Sequence, residues 1–216
     1  MKIAVTGANG FIGKNLCFFL EENNYDVLKI HHKSTDNEIS EILSKSSFVF
    51  HLAGVNRSEN KNDFSTGNID FTQFIIDILI KQERKIPIVL ASSSQASNNT
   101  DYGLSKNSAE KILLRYSKFT GSKSYIYRLP NVFGKWCRPN YNSFIATFCN
   151  NIHENKEIKI HDPNATVKLV YIDDVCNSFL DIIKLNPKSG FYEIPIHYNT
   201  TVGEVADTLI NFQSIK

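Results

Sequence analysis

The N-terminal segment constrains the fold more than any other stretch. The apolar run Ile3-Ala4-Val5 enters Thr6-Gly7-Ala8-Asn9-Gly10-Phe11-Ile12-Gly13, after which Leu16, Phe19 and Leu20 recur at helical spacing. A strand, a glycine loop and an amphipathic helix in this order leave few architectures open. Gly7 permits a tight turn out of the strand, Gly10 clears the backbone's approach to a pyrophosphate, and Gly13 lets the helix pack against a sheet. The helix N-terminus adds free N–H groups and partial positive charge. The spacing is G-x-x-G-x-x-G rather than G-x-G-x-x-G, and glycines alone recur by chance in many loops. Their place between strand and helix makes this a dinucleotide cradle, with Asn9, Phe11 and Ile12 as intervening contacts.

Downstream, short β-type runs alternate with helical patterns. This predicts an α/β fold with a Rossmann-type, doubly wound parallel sheet covered on both faces. Expected strands are Ile3–Thr6, Asp26–Ile30, Phe48–His51, Ile86–Ser92 and Tyr125–Arg128. Phe71, Phe74, Ile75, Ile78 and Leu79 form an apolar helical stripe, as do Ile112, Leu113 and Tyr116. Asn56–Asn68 reads as a surface loop leading into a helix. Beyond Arg128 the pattern loosens into a loop through Asn142 and a helix to about Glu154. Short strands follow at Glu157–Ile160 and Val167–Tyr171, then a helix from Ile172 and a last one over Val202–Phe212. A chain of 216 residues suits one well-buried α/β domain with at most a small appendage.

Charge and cysteine usage exclude several function classes. Lys and Arg number 24 against 22 Asp and Glu, giving a net charge of +2 with no like-charge block. Neither nucleic acid nor a membrane surface is therefore an expected partner. Cys17, Cys137, Cys149 and Cys176 follow no C-x-x-C or metal-finger spacing, so no metal site is expected. Reduced thiols in a cytoplasmic compartment fit this usage best. Glycines interrupt the apolar start where a secretory signal needs continuity, and Phe71–Ile80 is too short to span a bilayer.

Two further features carry chemistry. The second strand runs into His31-His32-Lys33 with no acid before Asp36. A carboxylate there would suit the ribose hydroxyls of NAD, whereas His32 or Lys33 suits a 2′-phosphate, so NADPH/NADP is favoured over NAD. Adjacent strand residues point to opposite faces, which argues against a two-histidine metal site. Tyr102 and Lys106, four apart, share one helix face. A phenol titrates near pH 10, and a neighbouring ammonium is expected to lower that value for acid–base work. A hydroxyl from Ser92-Ser93-Ser94 would hold the substrate oxygen against the Tyr102 hydroxyl, supporting hydride transfer.

At this point the chain resembles the extended short-chain dehydrogenase/reductase family, the NAD-dependent epimerase/dehydratases that modify nucleotide sugars. The resemblance rests on TGANGFIG at 6–13, HLAG at 51–54, Asn68, the triple serine, Tyr102 with Lys106, RLPNVFG at 128–134 and YIDD at 171–174. HLAGVNR (51–57) and RLPNVFGKWCRPNYNSFIATFC (128–149) look like the reductase part of bacterial capsular-polysaccharide enzymes on the UDP-N-acetyl-L-fucosamine route. That implies NADPH-dependent reduction of a UDP-linked 4-keto-6-deoxy amino sugar by one domain. Residues 1 to about 134 would form the dinucleotide-binding core and about 135–216 mostly the substrate-binding portion.

By position, Ser93 best matches the catalytic serine, with Ser94 beside it, and Tyr102 and Lys106 complete the set. Leu52, Ala53, Gly54 and Leu129 would line the cofactor. Asn131 would touch the sugar nucleotide, and Trp136, Arg138 and Lys168 are candidate substrate contacts, the two cations suiting a diphosphate. Asp173 and Asp174 read as helix-start carboxylates. The family implies a homodimer. Three departures stand out. About fifteen residues separate His32 from Phe48, so the strand that usually carries an adenine-contacting acid is expected to be missing or vestigial. The arginine usual ahead of the YIDD motif is replaced by Val167 or shifted to Lys168. No cupin sequence precedes Lys216, so its metal-dependent epimerase activity is expected to be absent from this polypeptide. A nucleotide-sugar epimerase of the same fold and an idle NADP-binding protein remain alternatives.

Overall fold

A computed structural model of the chain describes residues 1–141 and 143–214; Asn142, the expected end of the loop after Arg128, lies outside them. The elements begin β1 (Lys2–Thr6), α1 (Phe11–Glu22), β2 (Asp26–Ile30), α2 (Asp36–Lys45) and β3 (Phe48–His51). One helical run follows: α3 (Lys61–Phe64), a π-helical segment (Ser65–Asp70) and α4 (Phe71–Lys81). Next come β4 (Ile88–Ser93), a 3-10 turn (Ser94–Ser97), α5 (Asp101–Thr120), β5 (Ser124–Leu129), β6 (Asn131–Phe133) and α6 (Phe144–His153). β7 (Thr166–Tyr171), α7 (Ile172–Leu185), β8 (Gly190–Tyr192), β9 (Tyr198–Thr201) and α8 (Val202–Ser214) complete the described chain.

Six parallel strands form the main sheet in the order β2-β1-β3-β4-β5-β8. Strand alternation divides its apolar residues between two faces. Leu16, Leu20, Phe50, Val175 and Phe179 pack on one face, under α1 and α7, where the Phe50 and Phe179 rings lie 5.4 Å apart. Ile75, Leu79, Ile112, Leu113 and Tyr116 pack on the other, under α4 and α5. The chain leaves β1 for β2 on one side and returns to β3 on the other. Such a reversal opens a crevice at the carboxyl ends of the strands, the usual ligand position in open α/β sheets.

Four expectations need correction. Glu157–Ile160 is irregular, because both edges of β7 are occupied, by β6 in parallel and β9 antiparallel. The interval before β3 holds α2, started by a Thr35–Glu38 capping box, so a helix stands where a vestigial strand was considered. The stretch Asn56–Asn68 is only partly a loop, since helix begins at Lys61 and Asn68 is buried inside the π-helical segment. β4 also starts at Ile88 rather than Ile86, immediately after Pro87, which has no N–H for a ladder. No helix among the described residues is long and apolar enough to cross a membrane.

Candidate active site

The crevice opens into one cleft of about 740 Å3. Its inner end is the glycine cradle. Gly7 has φ +66°, and a Cβ there would meet the Ala53 backbone at 2.8 Å. A Cβ on Gly13 would stand 2.1 Å from the Gly7 carbonyl oxygen, so helix and loop close together only without side chains. Gly7, Gly10, Phe11, Ile12 and Gly13 line the cleft, as do Leu52 and Gly54 from the loop after β3. Asn9 and Ala53 flank this floor without lining it.

A buried hydrogen-bond chain fixes that second loop. Thr6 Oγ1 accepts from the Leu52 and Ala53 N–H groups, each at 3.1 Å, and contacts His51 Nδ1 at 2.8 Å. His51 Nε2 lies 2.9 Å from Thr72 Oγ1, which itself donates to the Asn68 carbonyl at 2.6 Å. Thr72 has already used its proton, so Nε2–H must donate and Nδ1 must accept from Thr6. Burial, with Lys106 nearby, pushes His51 down to about 3 and keeps it neutral. Asn68 then clasps Val55 through both its N–H and C=O, at 2.8 and 2.9 Å, and donates to Ser105. The HLAG motif and Asn68 were the sequence signals for this wiring.

Ser93, Tyr102 and Lys106 meet on the adjacent wall. β4 delivers Ser93 at its end, and its Oγ accepts from Gln95 N–H to start the 3-10 turn. Thr100 caps α5 by accepting from Gly103, which sets Tyr102 in the first turn and Lys106 one turn on. Strand alternation turns Ser92 away toward Glu110, while Ser94 is exposed and borders a separate hollow of about 220 Å3. The Tyr102 phenol is raised above its ordinary value by burial, with a Ser93 hydrogen bond pulling the other way. The expected depression by Lys106 is thus reversed. The Lys106 ammonium instead donates to the Ala91 carbonyl at 2.7 Å, and burial brings it down to about 8 against the opposing pull of Glu110.

Leu129 and Asn131 continue the wall outward from the end of β5. There Arg57 donates to the Asn140 carbonyl at 3.2 Å, bridging the loop after β3 to the loop before α6. Lys159 closes the outer rim. Among the described residues lining the cleft, Lys106, Arg57 and Lys159 are cationic and none is a carboxylate, which favours anionic ligands. Sequence reasoning missed Arg57 and Lys159 as lining residues, because each sits in irregular chain whose path only the fold determines.

Other expected contacts lie elsewhere. Trp136 packs on α1, 6.2 Å from Phe18 and with Lys14 4.4 Å from its ring. Arg138 is exposed outside the cleft lining. Lys168 pairs with Glu193 at 3.2 Å and borders the smaller hollow. His31, His32 and Lys33 form a turn beyond β2 outside the lining, with His32 and Lys33 exposed and His31 Nδ1 buried without a partner. Asp173 and Asp174 occupy the first turn of α7, but the N-cap is Tyr171 and no side chain caps the helix, so the expected capping by these carboxylates is not seen. Burial raises all four cysteine thiols, Cys17 to about 11 and Cys176 to about 12.

Comparison with known proteins adds four findings. The model of the NAD dependent epimerase/dehydratase family matches residues 3–195. A Pseudomonas aeruginosa UDP-2-acetamido-2,6-beta-L-arabino-hexul-4-ose reductase is 42% identical over 99% of this chain and 58% of its own length. The capsular polysaccharide assembling protein CapF of Staphylococcus aureus superposes with a TM-score of 0.88 at 39% identity, over 99% of this chain and 58% of CapF. A Bacillus cereus UDP-glucuronic acid 4-epimerase solved with NAD reaches a TM-score of 0.89 at 21% identity over 85% of its length, a likeness of fold alone. The chain thus spans little more than half the length of the reductase and of CapF.

Proposed function

Because this chain belongs to the NAD dependent epimerase/dehydratase family, we propose that it is an NADPH-dependent reductase of a UDP-linked 4-keto-6-deoxy amino sugar, serving bacterial surface-polysaccharide synthesis. One observation carries the reading: the glycine cradle and the Ser93–Tyr102–Lys106 group line the same cleft. The reductase and CapF likenesses support the proposed substrate class and capsule setting. The cradle fits a dinucleotide, since Gly7 and Gly13 let loop and helix close tightly at the helix N-terminus that would receive a pyrophosphate. His32 and Lys33 beyond β2 are the proposed partners of a 2′-phosphate. When bound, the reduced nicotinamide supplies the hydride.

The rest of the work falls to the chain. Ser93 holds the sugar carbonyl oxygen beside the Tyr102 hydroxyl. A raised phenol stays protonated at neutral pH, which is the state needed to hand a proton to an oxygen becoming alkoxide. The Lys106 ammonium then stabilises the phenolate left behind. Asn131 contacts the sugar nucleotide, and Arg57 and Lys159 take the diphosphate role first assigned to Arg138 and Lys168. Gln95, rather than a carboxylate, lines the cleft past Ser93, so the dehydratase chemistry that needs such an acid is disfavoured. A homodimer through α4 and α5 belongs to the same reading, supported by exposed Ile80, Leu104 and Leu114.

The test supplies purified protein with NADPH and a UDP-4-keto-6-deoxy-N-acetylhexosamine and follows absorbance of the reduced coenzyme. Stoichiometric NADPH loss is expected, and Tyr102→Phe should cut kcat by about 100-fold or more. Sugar turnover without net coenzyme oxidation would replace this reading with an epimerase. Tight coenzyme binding without turnover would replace it with an idle binding protein.

A further inference from the structure

We propose that Glu110 is a positioning residue for the Tyr102–Lys106 pair, keeping the Lys106 ammonium charged inside the fold; this rests on the reductase reading above. Tyr102, Lys106 and Glu110 follow one another at four-residue intervals and therefore share one face of α5. Lys106 is 7% exposed and Glu110 2%. A buried ammonium is costly unless an opposite charge compensates it, and the Ala91 carbonyl that accepts from Lys106 carries none.

Both carboxylate oxygens of Glu110 are held by donors. One carboxylate oxygen accepts from Ser92 Oγ and from Arg128 Nε at 3.0 Å, and the other from Arg128 Nη2 at 2.7 Å. Arg128 is partly exposed and lies 4.9 Å from the Phe191 ring. Charges thus alternate from the cleft outward: Lys106, Glu110, Arg128. The other groups facing Lys106 are neutral at pH 7, Tyr102 on α5 itself and His51 from β3. Burial draws Lys106 down while Glu110 opposes it. Without that opposition the ammonium would shed its proton near neutral pH, leaving nothing to stabilise a Tyr102 phenolate. If Glu110 served only to anchor Arg128, the titration of Lys106 would not depend on it.

The experiment follows the Lys106 Cε resonance by proton–carbon NMR in the full chain labelled with carbon-13 lysine, alongside the alkaline limb of kcat/KM. Glu110→Gln should lower the Lys106 midpoint by about one unit or more. Arg128→Gln removes the cation that offsets Glu110 and should raise it. The alkaline limb should move with the midpoint in both variants. Opposite shifts support the proposal, whereas midpoints that stay put or move together overturn it, whatever happens to the rate. Should Glu110→Gln not fold, Arg128→Gln decides alone: an upward shift supports, and any other result overturns. If the variants shift the Lys106 midpoint this way while the wild type oxidises no NADPH, the reductase reading falls and this one stands.

Discussion

His51 shows how one side chain can be easy to notice and hard to interpret. A histidine in the apolar strand Phe48–His51 stands out, but its role depends on Thr6 and Thr72, which are distant in sequence. Its pKa of about 3 lies below the ordinary 6.5, so the unfolded chain takes up this proton first as pH falls. Stability from His51 is complete above about pH 6.5 and drains away toward about 3. Urea unfolding between pH 6.5 and 4.5 should therefore lose stability faster in the wild type than in His51→Gln; equal slopes would contradict a neutral buried ring. Tyr102 and Lys106 were legible because helical spacing alone puts them on one face. The direction of the Tyr102 shift was not, because burial is a property of the fold and outweighs what a neighbouring ammonium suggests.

Whether an element could be read in advance depended on its length and periodicity. β1 to β5 and the stripes of α4 and α5 were legible, since buried parallel strands and amphipathic helices repeat apolar residues over a full element. β6, β8 and β9 have three or four residues each, too few for a period to register. α2 buries only Ile39 and Leu43, so its best signal was the capping box rather than a stripe. α7 ties its layer to the sheet through Phe179, fully buried between Phe50 and Tyr127 with ring centroids 5.4 and 4.9 Å away. Phe179→Ala should cost about 3–5 kcal/mol, read as a lower urea midpoint with unchanged slope. A cost under about 1 kcal/mol would mean that the layer collapses to fill the hole.

For the whole molecule, the cleft is where two sheets meet. The main sheet supplies the cradle and Ser93, while β6 of the smaller sheet supplies Asn131 and Val132. Its outer half has cations from two distant loops, and this convergence is what sequence spacing could not reveal. Arg57→Ala and Lys159→Ala should each weaken UDP binding about 5- to 20-fold, most strongly at low salt, with NADPH affinity unchanged in calorimetry. Equal losses for both ligands would argue against a diphosphate role. The chain crosses between the two sheets three times: at Pro130, a single residue between β5 and β6; through α7 from β7 to β8; and from β8 to β9. The pyrrolidine ring locks one of the two torsions at the first joint. With the walls joined at three places, the proposed reductase is expected to refuse a pyranose of the wrong bulk by size rather than by a closing jaw.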